Sequence, residues 1–348
     1  MEPRSLTAAQ ARRVRLAAHG FGADRSPAEA MRALVAMQGQ DLPAVLRAIA
    51  IRSAAGTTLA DVRDAFGRGE LVRSWAMRGT LFATTPRDLA ILHAATGERM
   101  RRQELRMLRD REVPEAVGAQ AAEVAADALA AGPLARPALL AAWEAAGIAT
   151  SGGHGYHLLA LLAIEQRVRF GPFDGAEQLL VGGPPAAVAD PAAAHLDLLA
   201  RVVASRGPIR GDDVAWWTGL PKVPIRAALA AAPGLEPVLV EGVPMRMRAG
   251  LEPLPRDGVR LVPAFDEWLL GAADRSLVAS PAALAAVVPG GNGVFRPTVL
   301  VDGRVVGTWS LPAARARAGG DPEATLVEPV PAAASRALER ALAAWPHR

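Results

Sequence analysis

Gln38-Gly39-Gln40 sets two carboxamides one residue apart, after an amphipathic stretch (28–37) and just before Asp41-Leu42-Pro43. Side chains so spaced can hold one water molecule between them. A carboxamide has no useful pKa, so it cannot remove a proton as a carboxylate or an imidazole does. Such a pair activates water only against a substrate already primed to break, and the substrate must supply most of the driving force. The same residues also read as two solvated polar side chains near a helix end, the commoner fate of glutamine. Asp41 offers electrostatic assistance to the pair or, before Leu-Pro, a turn or cap residue.

Composition removes much other chemistry. With no cysteine there is no disulfide, thiolate metal site, iron–sulfur cluster or cysteine nucleophile. Six histidines are the soft ligands left. His154 and His157 are three apart, but Gly152-Gly153 marks a turn and no carboxylate cluster lies near them in sequence, so neither a metal nor another cofactor is expected. No apolar run reaches the roughly 20 residues that cross a bilayer. Met1-Glu2-Pro3-Arg4-Ser5 lacks a basic segment followed by an apolar core, which predicts a soluble, cytoplasmic protein with no membrane partner. The formal charge is +4, and Lys222 is the only lysine among 39 basic residues. GC-rich codon usage accounts for part of that bias. Arginine is also the better phosphate clamp, because its planar fork makes two hydrogen bonds to one anion. Arg99, Arg101, Arg102, Arg106, Arg109 and Arg111 crowd one predicted helix, and Arg12, Arg13 and Arg15 another. Each cluster is either a solvated face or a surface for nucleic acid.

The elements that must position the glutamines follow from periodicity. Helices are predicted over 7–19, 26–37 and 59–67, then strands over 71–75 and 80–84 around Ala76-Met77-Arg78-Gly79. Three helices followed by a hairpin is the order of a winged helix. The order recurs as helices 115–131, 136–146 and 155–164 with strands 167–170 and 178–181. It recurs again as helices 192–205, 212–218 and 223–232 with strands 237–241 and 244–248. Gly132-Pro133-Leu134 and Gly207-Pro208-Ile209 stand 75 residues apart at equivalent places, which marks an internal duplication with too long a period for a solenoid. Short β-rich runs at 259–262 and 297–309, with Val301-Asp302-Gly303-Arg304-Val305 as a turn, predict a small barrel closed by a final helix over 331–345. The fold class expected is α+β, with tandem winged-helix (helix-turn-helix) domains and a C-terminal small β-barrel. The predicted units are 1–112, carrying the glutamine pair and the basic helix, then 113–190, 191–255 and 256–348.

Five motifs in order carry a resemblance over nearly the whole chain. They are Gln38-Gly39-Gln40-Asp41, Arg78-Gly79-Thr80-Leu81, Trp216-Trp217-Thr218-Gly219-Leu220, the run from Pro263 through Phe265-Asp266-Glu267-Trp268 to Gly271, and the run from Val301 to Trp309. Together they resemble the AlkZ/YcaQ superfamily of bacterial winged-helix DNA glycosylases, and the Gln-x-Gln form is similar to its AlkZ-like branch. The resemblance implies that three winged helices and a β-barrel wrap a duplex, and that Gln38 and Gln40 are the catalytic amides.

That implication suits the chemistry of a carboxamide pair. Alkylation of a purine at N7 or N3 puts positive charge on the base and makes it a good leaving group. What remains is to stabilise an oxocarbenium-like sugar and place water at C1′, which two amide oxygens can do. A bifunctional enzyme would need an amine nucleophile, and Lys222 is far in sequence from the glutamines, so a monofunctional hydrolase is expected. Aromatic residues are only 4% of the chain, and Trp75, the nearest to the motif in sequence, is either a DNA contact or wing packing. The shortage fits a lesion reached from a groove, with bulky adducts and interstrand crosslinks accepted. Arg78 at the first wing tip is the leading DNA contact, followed by Arg52, Arg73, Arg169, Trp75 and Thr80; Asp41 and Asp266 are further candidate site residues, Asp266 also reading as structural. The expected partner is double-stranded DNA carrying alkylated purines, bound by a monomer that is nucleoid-associated when engaged. Two other readings stay open: a winged-helix transcription regulator without catalysis, and a protein that shields DNA or sequesters a toxin. Self-resistance and general repair are equally compatible with the sequence.

Overall fold

The computed structural model describes residues 3–255 and 258–347. They divide into two compact units, one built from residues up to Leu59 together with those from Leu199 onward, the other from Ala60–Leu198.

The first unit opens with β1 (Arg4–Leu6), α1 (Ala8–His19), α2 (Pro27–Leu34), β2 (Ala36–Gln38) and α3 (Leu42–Ala50). Two capping boxes start the first two helices: Thr7 with Gln10, and Ser26 with Glu29, where Pro27 also presets the first turn. The second unit holds α4 (Leu59–Gly67), β3 (Val72–Met77), β4 (Thr80–Thr84), α5 (Pro86–Arg109), α6 (Glu115–Ala130), α7 (Arg136–Ala145), α8 (His154–Ile164), β5 (Arg169–Asp174) and β6 (Glu177–Val181). The chain returns to the first unit through α9 (Pro191–Arg206), then α10 (Gly211–Thr218), α11 (Lys222–Ala231), β7 (Leu235–Val240), β8 (Val243–Arg248) and β9 (Val259–Val262). It ends with α12 (Glu267–Leu270), α13 (Pro281–Val287), β10 (Thr298–Val301), β11 (Arg304–Ser310), α14 (Ala313–Arg317), β12 (Glu323–Leu326) and α15 (Ala332–Ala343).

In the second unit, antiparallel strands run in the order β4-β3-β5-β6. The β3–β4 hairpin turns at Arg78-Gly79, whose φ angles of 54° and 68° are both positive, as the tight hairpin turn matching strand twist requires. Beyond its first turn helix α8 is apolar on every side and buried, and Leu158, Leu159 and Leu162 sit among Trp75, Trp143 and Phe170. Leu134 bridges Leu180 in this unit, and Ile209 bridges Arg246 in the first, so both Gly-Pro-aliphatic turns feed one residue onto a hairpin strand. Gly207 is needed there, because a Cβ would lie 2.8 Å from Met247 Cα and from Val203 O.

In the first unit, β1 lies parallel to β7, which forms a hairpin with β8. The remaining strands make an antiparallel sheet in the order β12-β11-β10-β9. This sheet is open, where the sequence predicted a closed barrel. Four strands of four to seven residues are too few to curl round on themselves, and α15 with the residues after it packs on the sheet instead, setting Leu338 of the helix and Trp345 beyond it against Leu261, Val299 and Val306. No helix among the described residues is long and apolar enough to cross a membrane.

Two corrections bear directly on the glutamines. The helix predicted over 26–37 stops at Leu34; Val35 takes φ 69° and ψ −58°, and the chain continues as β2. Helix α3 had no counterpart in the sequence reading, although Asp41 caps it by accepting from Ala44 N at 2.9 Å and Pro43 sits in its first turn.

Candidate active site

Gln38 ends β2 and Gln40 precedes the cap of α3, so the pair stands where a strand gives way to a helix. Gln38 is 7% exposed, and Gln40 is open to solvent. Their side chains bind each other. Gln38 Nε2 donates to Gln40 Oε1 at 2.6 Å, and Gln40 N donates to Gln38 Oε1 at 3.1 Å. Each amide oxygen thus spends one lone pair inside the pair and keeps its second, and Gln40 Nε2 keeps both its protons. The result is a polar element whose two side chains hold each other in place.

Behind the pair lies a buried ionic assembly. Gln38 N donates to Glu267 Oε1 at 2.9 Å, while Glu267 Oε2 accepts from Arg206 Nη2 at 3.0 Å and from Trp217 Nε1 at 2.8 Å. The Arg206 guanidinium also donates to Leu34 O at 2.8 Å and Ala36 O at 2.9 Å, and lies 4.1 Å above the Trp217 ring. Burial pushes Arg206 below its ordinary value of 12.5, with Glu267 opposing. Beside it, Asp266 caps α12 and receives both ends of Arg52 at 2.7 and 2.8 Å. His19 Nδ1 lies 3.1 Å from Arg52 Nη2. Burial first, then Arg52, Arg206 and Arg15, hold the His19 imidazole well below 6.5, hence neutral and able to accept from the guanidinium. Adjacent carboxylates in Phe265-Asp266-Glu267 therefore anchor two different buried arginines.

The other predicted site residues divide by exposure. Arg52 was expected to meet DNA; it is 0% exposed and committed to Asp266, so it has no surface to offer a duplex. Arg73 was expected likewise, but it is buried, donates to Gln178 Oε1 at 2.7 Å and lies 4.4 Å over Phe170, and burial pushes its guanidinium down to about 10. Trp75, expected as a DNA contact or as packing, takes the second role: it is 2% exposed, with Nε1 donating to Tyr156 at 3.3 Å. Arg78 sits half-buried in the hairpin turn, 5.4 Å over Phe82, with Thr80 beginning the next strand. Arg169 is half-buried and donates to Gly183 O at 3.3 Å. Asp41 serves as a cap.

The arginine clusters are partly occupied too. Arg12 donates to Leu277 O and the buried Arg15 to Pro208 O, while Arg101 pairs with Glu165. His157 pairs with Glu104 at 2.8 Å, a carboxylate that its sequence neighbourhood did not reveal. Lys222 binds Asp212 at 3.2 Å. Sequence reasoning assigned no role to Arg206, Trp217 or Glu267. Two of them stood inside the motifs that carried the resemblance, which was the available signal.

Similarity to known proteins bears on the fold and the family. A structure of Streptomyces sahachiroi DNA glycosylase AlkZ superposes with a TM-score of 0.76 at 22% identity, over 97% of each chain, which establishes a shared fold. No curated protein matches the sequence significantly. The family model described as "DNA glycosylase AlkZ-like" matches residues 31–347, a span holding the glutamine pair together with Arg206, Trp217 and Glu267. The chain therefore belongs to the AlkZ-like DNA glycosylase family, and it is a DNA repair hydrolase acting on N-glycosyl bonds in DNA.

Proposed function

We propose that the enzyme hydrolyses the N-glycosidic bond of purines alkylated at N7 or N3, with Gln38 and Gln40 holding the attacking water at C1′. The observation that carries this reading is the mutual hydrogen bonding of the pair, which holds the two side chains together and leaves each amide oxygen an acceptor site to spare. Their negative ends favour the positive charge developing on the sugar, and they accept from the water as it attacks. Neither group can take a full proton, so the reaction depends on a cationic base that departs readily. The enzyme is monofunctional: its one lysine is engaged by Asp212, and the product is an abasic site in an intact strand.

Bulky adducts and interstrand crosslinks fall within the proposed range. Extruding a base ordinarily calls for an aromatic platform. Trp75 is in the core, and of the seven tryptophans only Trp216 is exposed. A lesion reached in place suits that distribution. In this reading helix triplets followed by hairpins form three tandem winged helices, Arg78, Thr80 and Arg169 touch the duplex, and a monomer suffices for binding.

The test is a duplex carrying one N7-alkylguanine, with free base measured by chromatography. Wild-type protein releases the base without nicking the strand. Gln38→Ala and Gln40→Ala each lower the single-turnover rate by at least about tenfold while duplex binding persists. Undiminished release in both variants removes the pair from the mechanism, and a nicked product before alkali or heat refutes the monofunctional step.

A further inference from the structure

Val35 is a β-branched, fully buried residue with φ 69° and ψ −58°, in the γ-turn region that such side chains avoid. An uncommon backbone conformation persists only when its surroundings over-determine it. Arg206 and Glu267 are part of those surroundings. Leu34 O, Ala36 O and Gln38 N belong to alternate residues across the turn and β2, and Arg206 takes the two carbonyls while Glu267 takes the amide. The cation meets only acceptors and the carboxylate only a donor. Their ion pair, joined at 3.0 Å and steadied by the Trp217 indole N–H, supplies hydrogen bonds as a neighbouring strand would. Such a template is selective for register, because moving the chain by one residue would turn Gln38 away and bring Gly39 to its place.

We propose that Arg206 and Glu267 are the positioning residues of this enzyme: their buried pair sets the register and direction of Gln38 and, through the Gln38–Gln40 bonds, aims both amides at the reacting carbon. The inference rests on the proposed role of the glutamines. It accounts for three features together, namely the turn at Val35, the burial of Gln38 beside an exposed Gln40, and the pairing of Glu267 with a backbone amide as well as with arginine.

The test uses the full chain and the same N7-alkylguanine duplex, reading single-turnover release and duplex Kd separately. Glu267→Gln removes the charge that holds Arg206, and Trp217→Phe removes one N–H while keeping a ring beneath the guanidinium. Both substitutions are made in wild-type and Gln38→Ala backgrounds. In the wild-type background Glu267→Gln slows release by about tenfold or more with Kd within about twofold, and Trp217→Phe slows it by a few-fold. In the Gln38→Ala background each changes the residual rate by less than about twofold, because the pathway they serve is already gone. Hydrogen exchange of residues 34–40 quickens in both variants. Equal fractional losses in the two backgrounds overturn the inference, as does an unchanged rate in folded Glu267→Gln. Should Glu267→Gln not fold, an unchanged rate and exchange in Trp217→Phe overturns it. If Gln38→Ala and Gln40→Ala lose release while both supporting variants keep it, positioning fails alone; if the glutamine variants keep the wild-type rate, the catalytic reading fails with it.

Discussion

Asp266 and Glu267 are neighbours in the chain that serve different partners, and their costs differ from those of surface acids. Removing one member of a buried, hydrogen-bonded ion pair strands the other charge, at a cost of about 3–5 kcal/mol. Asp266→Ala, which strands Arg52, should therefore lower unfolding free energy by about that amount, read as an earlier urea midpoint at unchanged slope. A midpoint shift below about 1 kcal/mol would show that Arg52 finds water or another acceptor. At this scale the sequence was informative where chemistry is local and mute where it is not. Gln38 and Gln40, the proposed water-holding pair, stood out by their spacing. Glu267 stands 229 positions from Gln38, and Arg206 is one of 38 arginines, so nothing in local pattern separates it from Arg101, which lies in an exposed salt bridge. Arg52 and Arg73 were misplaced for the same reason: guanidinium burial depends on which acceptor the fold brings near.

Helix α3 shows how one element both aims the site and could be mistaken for part of it. Asp41 follows the glutamines directly, yet its carboxylate is occupied by Ala44 N. Asp41→Asn should keep stability within a few tenths of a kcal/mol, since asparagine caps as well, while Asp41→Ala should cost about 1 kcal/mol. Base release should stay within about twofold in both, as measured on the single-lesion duplex; a tenfold loss in Asp41→Asn would move Asp41 into the catalytic group. The start of α3 was legible in Asp41-Leu42-Pro43, an N-cap with proline in the first turn, but those residues equally spell a turn. The end of α2 was not legible. Residues 28–37 keep a helical apolar period through Val35 and Met37, and the helix stops because tertiary hydrogen bonds to Leu34 O and Ala36 O favour another path. Likewise the β-rich tail of the chain was plain from its turn residues, whereas its closure was not. A closed barrel and an open sheet capped by α15 both satisfy the same alternation.

Across the molecule, four histidines respond to acid in one direction. His19, His93, His195 and His347 are all held below 6.5, with burial the leading cause at each. A depressed histidine pKa means that the unfolded chain binds protons the native state refuses, so stability is whole above 6.5 and falls as pH drops below it. Each such group contributes a slope of up to about 1.4 kcal/mol per pH unit until its folded pKa is reached. Thermal melts should move down between about pH 6.5 and 5.5, above the range in which carboxylates titrate, and His19→Asn should flatten that slope. A pH-independent Tm in that window would contradict the buried neutral state. At this scale the order of helices and strands was legible, as in the α6-α7-α8-β5-β6 and α9-α10-α11-β7-β8 runs. The two Gly-Pro-aliphatic turns placed the helix triplets and their hairpins, and Leu134 and Ile209 make equivalent bridges. What no repeat could announce is that the first unit takes residues from both ends of the sequence.

That discontinuity governs how the enzyme comes into being. A ribosome releases Gln38 and Gln40 before the 139 residues of Ala60–Leu198, and Arg206 and Glu267 only afterwards. The nascent amides emerge ahead of both proposed positioning residues: Arg206, which takes Leu34 O and Ala36 O, follows once the second unit has been made, and Glu267, which takes Gln38 N, comes later still. On the proposed positioning role, a polypeptide that stops short of Glu267 carries both amides without the carboxylate that would register them.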